Sequence, residues 1–169
     1  MKLKLSLLVV FISLCSFSQK DIDVFKSEDY FIEYPKKWDL QKSERKDVEF
    51  ILFSPKQKTD PFRENISLVI QELKAEMTME SYIELTESQL RNMMTGSSVI
   101  ENLYDKINER HVLVYAVSVS GAQLKVKQHF YKKGKKMYIL TFTALKKSYD
   151  DYKRVADSIL NKFKFIPTP

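Results

Sequence analysis

The sequence is poor in the residues from which most reactive sites are built. One cysteine, two histidines, one tryptophan, three glycines and five prolines are spread over 169 residues. Three scattered glycines cannot form the Gly-rich loop that cradles a phosphate, and neither Walker spacing nor H-E-x-x-H occurs. The G-x-S-x-G elbow of serine hydrolases is missing too. The one cysteine, Cys15, lies in an apolar leader. Once that leader is removed, the chain has no thiol nucleophile, no thiolate metal ligand and no disulfide. No segment is of low complexity and no internal repeat is evident. The inventory nominates no catalytic residue, no metal site and no cofactor.

What is present first is an address. The start, "MKLKLSLLVVFISLCSFSQKD", carries Lys2 and Lys4, then an apolar run over residues 5–14, then small residues. That is the order of a secretory signal, and the run falls short of the roughly 20 apolar residues a membrane span needs. Ser16-Phe17-Ser18 fits the small-x-small rule and puts the cut before Gln19. The expected organisation is a signal peptide over 1–18 and one domain over 19–169. The alternatives are an uncleaved anchor helix and lipid attachment at Cys15. Leu14 stands where a lipoprotein signal places a small residue, so lipidation is not expected. The chain is expected to be exported, to the periplasm or beyond the cell. Losing Lys2 and Lys4 from 28 basic residues leaves 26 against 22 acidic ones, a net charge of +4. An imbalance this mild does not call for nucleic acid, and no base-stacking motif is present.

The mature chain reads as strands interrupted by two helices. Residues 30–34 form a strand stopped by Pro35, which forces the preceding residue into extended geometry. Residues 48–53, "VEFILF", and 65–73, where Ile66, Leu68 and Ile70 alternate, are further strands. Between them lies a polar loop over 56–64 with Asp60-Pro61 as turn chemistry. Thr78 then caps a helix whose Tyr82, Ile83, Thr86, Leu90, Met93 and Met94 share a face, and Gly96 stops it. Four strands follow, from residue 98 to about 145, with turns near 108–110, 120–123 and 134. A second helix starts at Ser148, read with Asp151 as a capping box, and buries Tyr152, Val155, Ala156, Ile159, Leu160 and Phe163. Short turns imply antiparallel pairing. The class is α+β: an antiparallel meander with helices packed on both faces, an α/β/α sandwich.

The aromatic residues at the two ends of this pattern carry a resemblance. The stretch "DYFIEYPKKWDL", with Tyr30, Phe31, Ile32, Tyr34, Pro35 and Trp38, and the closing set Tyr149, Tyr152, Ile159, Leu160, Phe163 and Phe165 resemble the PsbP-like family, which includes DcrB-like bacterial proteins. The resemblance spans nearly the whole mature chain. It implies an antiparallel sheet between helices and non-enzymatic work, usually docking to another protein, and it carries over no site residue. On this reading Tyr34, Pro35 and Trp38 end the first strand and pack its turn.

Candidate sites are few. A catalytic base of the histidine type would have to be His111 or His129, which fall on one predicted hairpin. If paired residue numbers across it sum to about 242, the two imidazoles are diagonal neighbours on one face and, with Glu109, could seat a metal. A shift of one residue puts them on opposite faces. The carboxylates Glu80, Glu84, Asp150 and Asp151 fall at helix starts or on exposed faces. Lys132, Lys133, Lys135 and Lys136 form a basic hairpin tip, with Lys125 and Lys127 before it. They read as a solvated tip that blocks edge aggregation, or as a contact for an acidic partner or an anionic surface. The leading expectation is a non-enzymatic PsbP-like domain that binds an unidentified protein of the envelope or exterior, using that tip and the 56–64 loop. The alternative is a carrier of a small hydrophobic ligand or lipid, with Met77, Met79, Met93 and Met94 forming an adaptable wall.

Overall fold

A computed structural model of the chain describes residues 21–167, apart from 59–61, 75 and 94–95 and the side chain of Met93. The expected signal peptide with Lys2, Lys4 and Cys15, the expected Asp60-Pro61 turn and Met94 therefore lie outside the described residues. Ten strands and two helices follow in the order β1 (Ile22–Lys26), β2 (Tyr30–Pro35), β3 (Asp39–Lys42), β4 (Val48–Phe53), β5 (Asn65–Glu72), α1 (Met79–Met93), β6 (Ser98–Asp105), β7 (Arg110–Val119), β8 (Ala122–Lys133), β9 (Lys136–Leu145), α2 (Tyr149–Leu160) and β10 (Lys164–Phe165). The chain is α+β, and every strand pairing among the described residues is antiparallel. Strands β1, β3 and β10 are additions to the sequence reading. They are short, and their alternation is too brief to register.

The strands form two sheets. A three-stranded sheet runs β1-β2-β10, and a seven-stranded one runs β3-β4-β5-β9-β8-β7-β6. The large sheet is a meander with one interruption. After β5 the chain passes through α1 to the far edge, lays down β6, and returns strand by strand until β9 pairs with β5. The hairpin turns follow from local chemistry. Ser120 and Gly121 have φ of 50° and 83°, the double positive φ of a type I′ turn, which suits the twist of the flanking strands. Gly134, with φ 59°, opens the turn into β9.

The turn at Ser120 decides between the two registers the sequence left open. Because Ser120 itself takes the left-handed conformation, the loop is Ser120-Gly121 alone, and Val112 faces His129 while His111 faces Phe130. The pairing is one residue away from the alignment that joined the histidines. His129 lies on the face that carries Val112, and His111 lies on the other. The two-histidine metal seat that the other register would allow is thus ruled out, since pleating sends the two rings to opposite sides.

Alternation along β9 divides the apolar side chains into two clusters. Tyr138, Leu140, Phe142 and Ala144 join Tyr149, Ala156, Ile159 and Leu160 of α2, Tyr30 and Ile32 of β2, and Trp38. Met137 and Ile139 join Ile83 and Leu90 of α1 with Leu113, Tyr115 and Val117 of β7. Trp38 is buried, so the aromatic opening stretch packs a turn. The helix starts differ from each other. At α1 the Ser81 N–H donates to Thr78 Oγ1 at 3.1 Å, and Ser81 Oγ accepts from the Thr78 N–H at 3.1 Å, a reciprocal cap. At α2 the expected box is absent: Ser148 makes no side-chain cap bond and donates instead to Glu64 Oε1 at 2.6 Å. Glu64 is buried, also accepts from Ser54 Oγ, and satisfies its carboxylate at the cost of the cap.

Candidate interaction site at the basic end of the sheet

The β6–β7 turn, the end of β8, the first turn of α1 and the segment after α2 meet at one end of the molecule around a concavity of about 750 Å³. Its lining is mixed. Lys106, Arg110, Lys132, Lys133 and Lys164 bring positive charge, Glu80 and Glu109 oppose it, and Met79, Tyr104, Ile107, Phe163, Phe165 and Ile166 supply apolar surface. Positive side chains outnumber negative ones, so the concavity favours anions.

The floor is Arg110, the first residue of β7, which is buried. By sequence alone Arg110 belongs to a polar turn. In the fold its guanidinium is shared among partners on three elements, β6, β8 and the end of α2. Nε and Nη2 meet Asp105 Oδ2 at 3.1 and 3.0 Å. Nη1 donates to Asn161 Oδ1 at 2.7 Å, to His129 Nδ1 at 2.9 Å and to the Tyr131 hydroxyl at 3.3 Å. Asn161 is the C-cap of α2, so Arg110 pins that helix end to the sheet. The planar guanidinium suits this role because its donors are fixed in a fork. The Asn108 side chain, the backbone there and Arg110 hold the Asp105 carboxyl below its usual range, so it stays a counter-ion in mild acid.

His129 is the second buried polar group here. Burial, and then the charges of Arg110 and Lys127, push its pKa down to about 3. Because Nδ1 accepts from Arg110, the neutral ring carries its proton on Nε2, and that atom has no hydrogen-bond partner among the described residues. A neutral imidazole closed off on Nε2 acts here as an acceptor for Arg110. His111 on the opposite face contacts Asn102 through Nε2, and the Asn102 amide reaches Glu87 Oε1 of α1 at 2.7 Å. Burial also lowers its pKa, against the pull of Glu87 and Glu80. No group of His, Cys, Asp and Glu among the described residues is arranged to hold a metal ion.

The four tip lysines separate. Lys132 and Lys133 line the concavity. Lys133 Nζ sits 5.1 Å from the centre of the Phe165 ring, a cation–π contact that orders its side chain. Lys135 lies in the turn, with its carbonyl accepting the Leu73 N–H at 2.7 Å, and Lys136 pairs across the hairpin with Lys133. Neither of these lines the concavity. The 56–64 loop is tied down in part, with Gln57 donating to the Tyr152 hydroxyl at 2.5 Å and Arg63 Nε to the Ser54 carbonyl at 2.8 Å. Of the methionines expected in a carrier's wall, Met79 lines the concavity, and Met77 and Met79 pack on the α1-side cluster. Arg110, Asp105 and Asn161 are the site residues the sequence did not offer, since Arg110 and Asn161 meet only through the tertiary fold.

Comparison with solved structures places this architecture. LpqN of Mycobacterium tuberculosis, described as involved in cell envelope biogenesis, superposes with a TM-score of 0.63 at 14% identity, over 86% of this chain and 92% of that one. The cyanobacterial PsbP protein CyanoP from Synechocystis sp. PCC 6803 gives a TM-score of 0.60 at 13% identity, over 89% of this chain and 96% of that one. The chain has the PsbP-like fold. The Ran-binding protein Mog1p of Saccharomyces cerevisiae matches the same fold at a TM-score of 0.59 and 7% identity, over 86% and 95% of the two chains. No family model and no curated protein matches the sequence. Among the described residues of this PsbP-like chain, no helix is long and apolar enough to cross a membrane.

Proposed function

We propose that the chain is an exported, non-enzymatic PsbP-like domain that binds a protein partner in the cell envelope through the basic concavity. The observation that carries this reading is the convergence of Lys106, Lys132, Lys133 and Lys164 around a buried Arg110 at one end of the sheet. Charges of one sign gathered over a concave surface speed encounter with an acidic partner and select against basic ones. In this proposal residues 1–18 are a signal peptide and 19–169 one domain, arranged as an α/β/α sandwich with α1 on one face and α2 on the other. Two neighbours support the reading: one is described as a Ran-binding protein and one as involved in envelope biogenesis.

The test is capture from the envelope fraction of the source cells by the tagged mature domain, with two charge-reversal pairs. Lys106→Glu with Lys132→Glu removes about tenfold or more of the captured partner, given the few kcal/mol that paired interface charges carry. Lys135→Glu with Lys136→Glu, outside the concavity, leaves capture within about twofold. Equal loss from both pairs would mean that net charge acts instead of the site. Retention by both removes the proposal.

A further inference from the structure

The two edges of the seven-stranded sheet are not protected alike. β3 is four residues long and ends in Lys42, which follows the usual ways of blunting an edge. β6 has eight residues, "SVIENLYD", with neither lysine nor proline. A register shift between Val99 and Glu101 disturbs its start, but Glu101 to Asp105 run in regular pairing with β7. No other strand among the described residues covers the outer side of this stretch.

Exposed apolar side chains collect on the same edge. Leu103 is 42% exposed and Tyr104 50%, and they point to opposite faces because Leu103 pairs with Val112 and Tyr104 with His111. Ile107, at the turn that continues this edge into the concavity, is 93% exposed. A partner lying on one face would cover Leu103 or Tyr104, not both. A strand added to the edge would flank both at once while pairing the open backbone groups.

We infer that β6 is a docking edge for an extended segment of the partner protein. The segment pairs main chain to main chain along Glu101 to Asp105 and places an acidic end against Lys106 and Lys132. The inference rests on the partner-binding reading and adds its mode. The positive charge at the Lys106 end sets the chemistry of the segment; a second copy of this chain, pairing antiparallel along the same five residues, would set Glu101 against Asp105, like charges, and Ile100 rather than an acidic group against Lys106.

The experiment uses the mature domain and a synthetic peptide of alternating valine and threonine ending in glutamates. Amide hydrogen exchange is followed at millimolar peptide. The expected result is exchange at least about fivefold slower for residues 101–105, with β3 unchanged. Two N-methylated versions of the peptide, each blocking alternate residues, supply the control. Strand addition uses one edge of the peptide, so one version loses protection and the other keeps it. Absence of protection, or equal behaviour of the two versions, overturns the inference. So does β6 protection without peptide that grows with protein concentration, which would make a second copy the occupant. If β6 stays unprotected while envelope capture still depends on Lys106 and Lys132, the partner-binding reading stands and strand addition alone fails.

Discussion

The apolar layer on the α2 side and the one on the α1 side share the central strand β9 yet are built differently. Among the described residues, seventeen buried side chains form the first and ten the second. The α2 side is dense in rings: Tyr30, Tyr138, Phe163 and Phe165 stack or meet edge to face with centroids 4.9–6.3 Å apart. It is covered by a helix and also by the small sheet, through Tyr30 and Ile32 of β2. On the α1 side one helix covers mainly aliphatic side chains, with Tyr82 and Phe130 as a ring pair at 6.0 Å. Two elements cooperate in closing the first layer and one closes the second. The α1 side is therefore the part that opens first.

Cutting each layer in turn tests this. Phe142→Ala, deep on the α2 side, is expected to cost about 4 kcal/mol in urea unfolding and to speed exchange throughout the sheet. Leu90→Ala on the α1 side should cost about 2–3 kcal/mol and speed exchange in α1 well before α2. If both variants loosen both helices equally, the layers form one cooperative unit and the contrast fails.

The two histidines sharpen the same contrast, since each belongs to one face. The folded pKa of His129 is about 3, far below an unfolded value of about 6.5. Between these values the unfolded chain binds the proton more readily, so stability falls as pH drops from about 6.5 towards 3. His129→Asn keeps an acceptor for Arg110 without titrating. It should reduce the stability lost between pH 6.5 and 4.5 by roughly 2 kcal/mol relative to the parent, as read from denaturation at each pH. His111 is partly exposed, and His111→Asn should change that slope far less. Equal slopes for parent and His129→Asn would show that His129 is protonated in the folded state.

The smallest effects lie at the helix starts. Thr78→Ala removes a working cap and should cost about 1 kcal/mol, seen as early fraying of α1. Ser148→Ala acts through Glu64 instead. In a double-mutant cycle with Glu64→Gln the two should couple by more than about 0.5 kcal/mol.

The sequence made the long strands and both helices legible because their alternation and helical spacing persist for eight residues or more. It left out β10, a two-residue strand that exists only through pairing with β2. It left the hairpin register open between two alignments, because a serine with positive φ has no marked local signature and Ser120 adopts one. The capping box at Ser148 was a sound local reading overridden by Glu64, a carboxylate 84 positions away that needed a buried donor. The lysine tip was visible, but its division was not: pleating sends Lys132 and Lys133 to different faces, and only the turn at 106–109 and the C-terminal segment draw both to one hollow. Arg110 escaped notice because its partners Asn161 and His129 are 51 and 19 positions away.

The crossover through α1 has a consequence for how the chain is made. β5 has β4 on one side and waits on the other for β9, whose residues are synthesised some seventy positions later. Until then the centre of the large sheet is missing, and α2, which seals the aromatic layer, has not left the ribosome. A polypeptide built this way keeps its central strands unpaired until it is almost finished, so its core closes late and all at once.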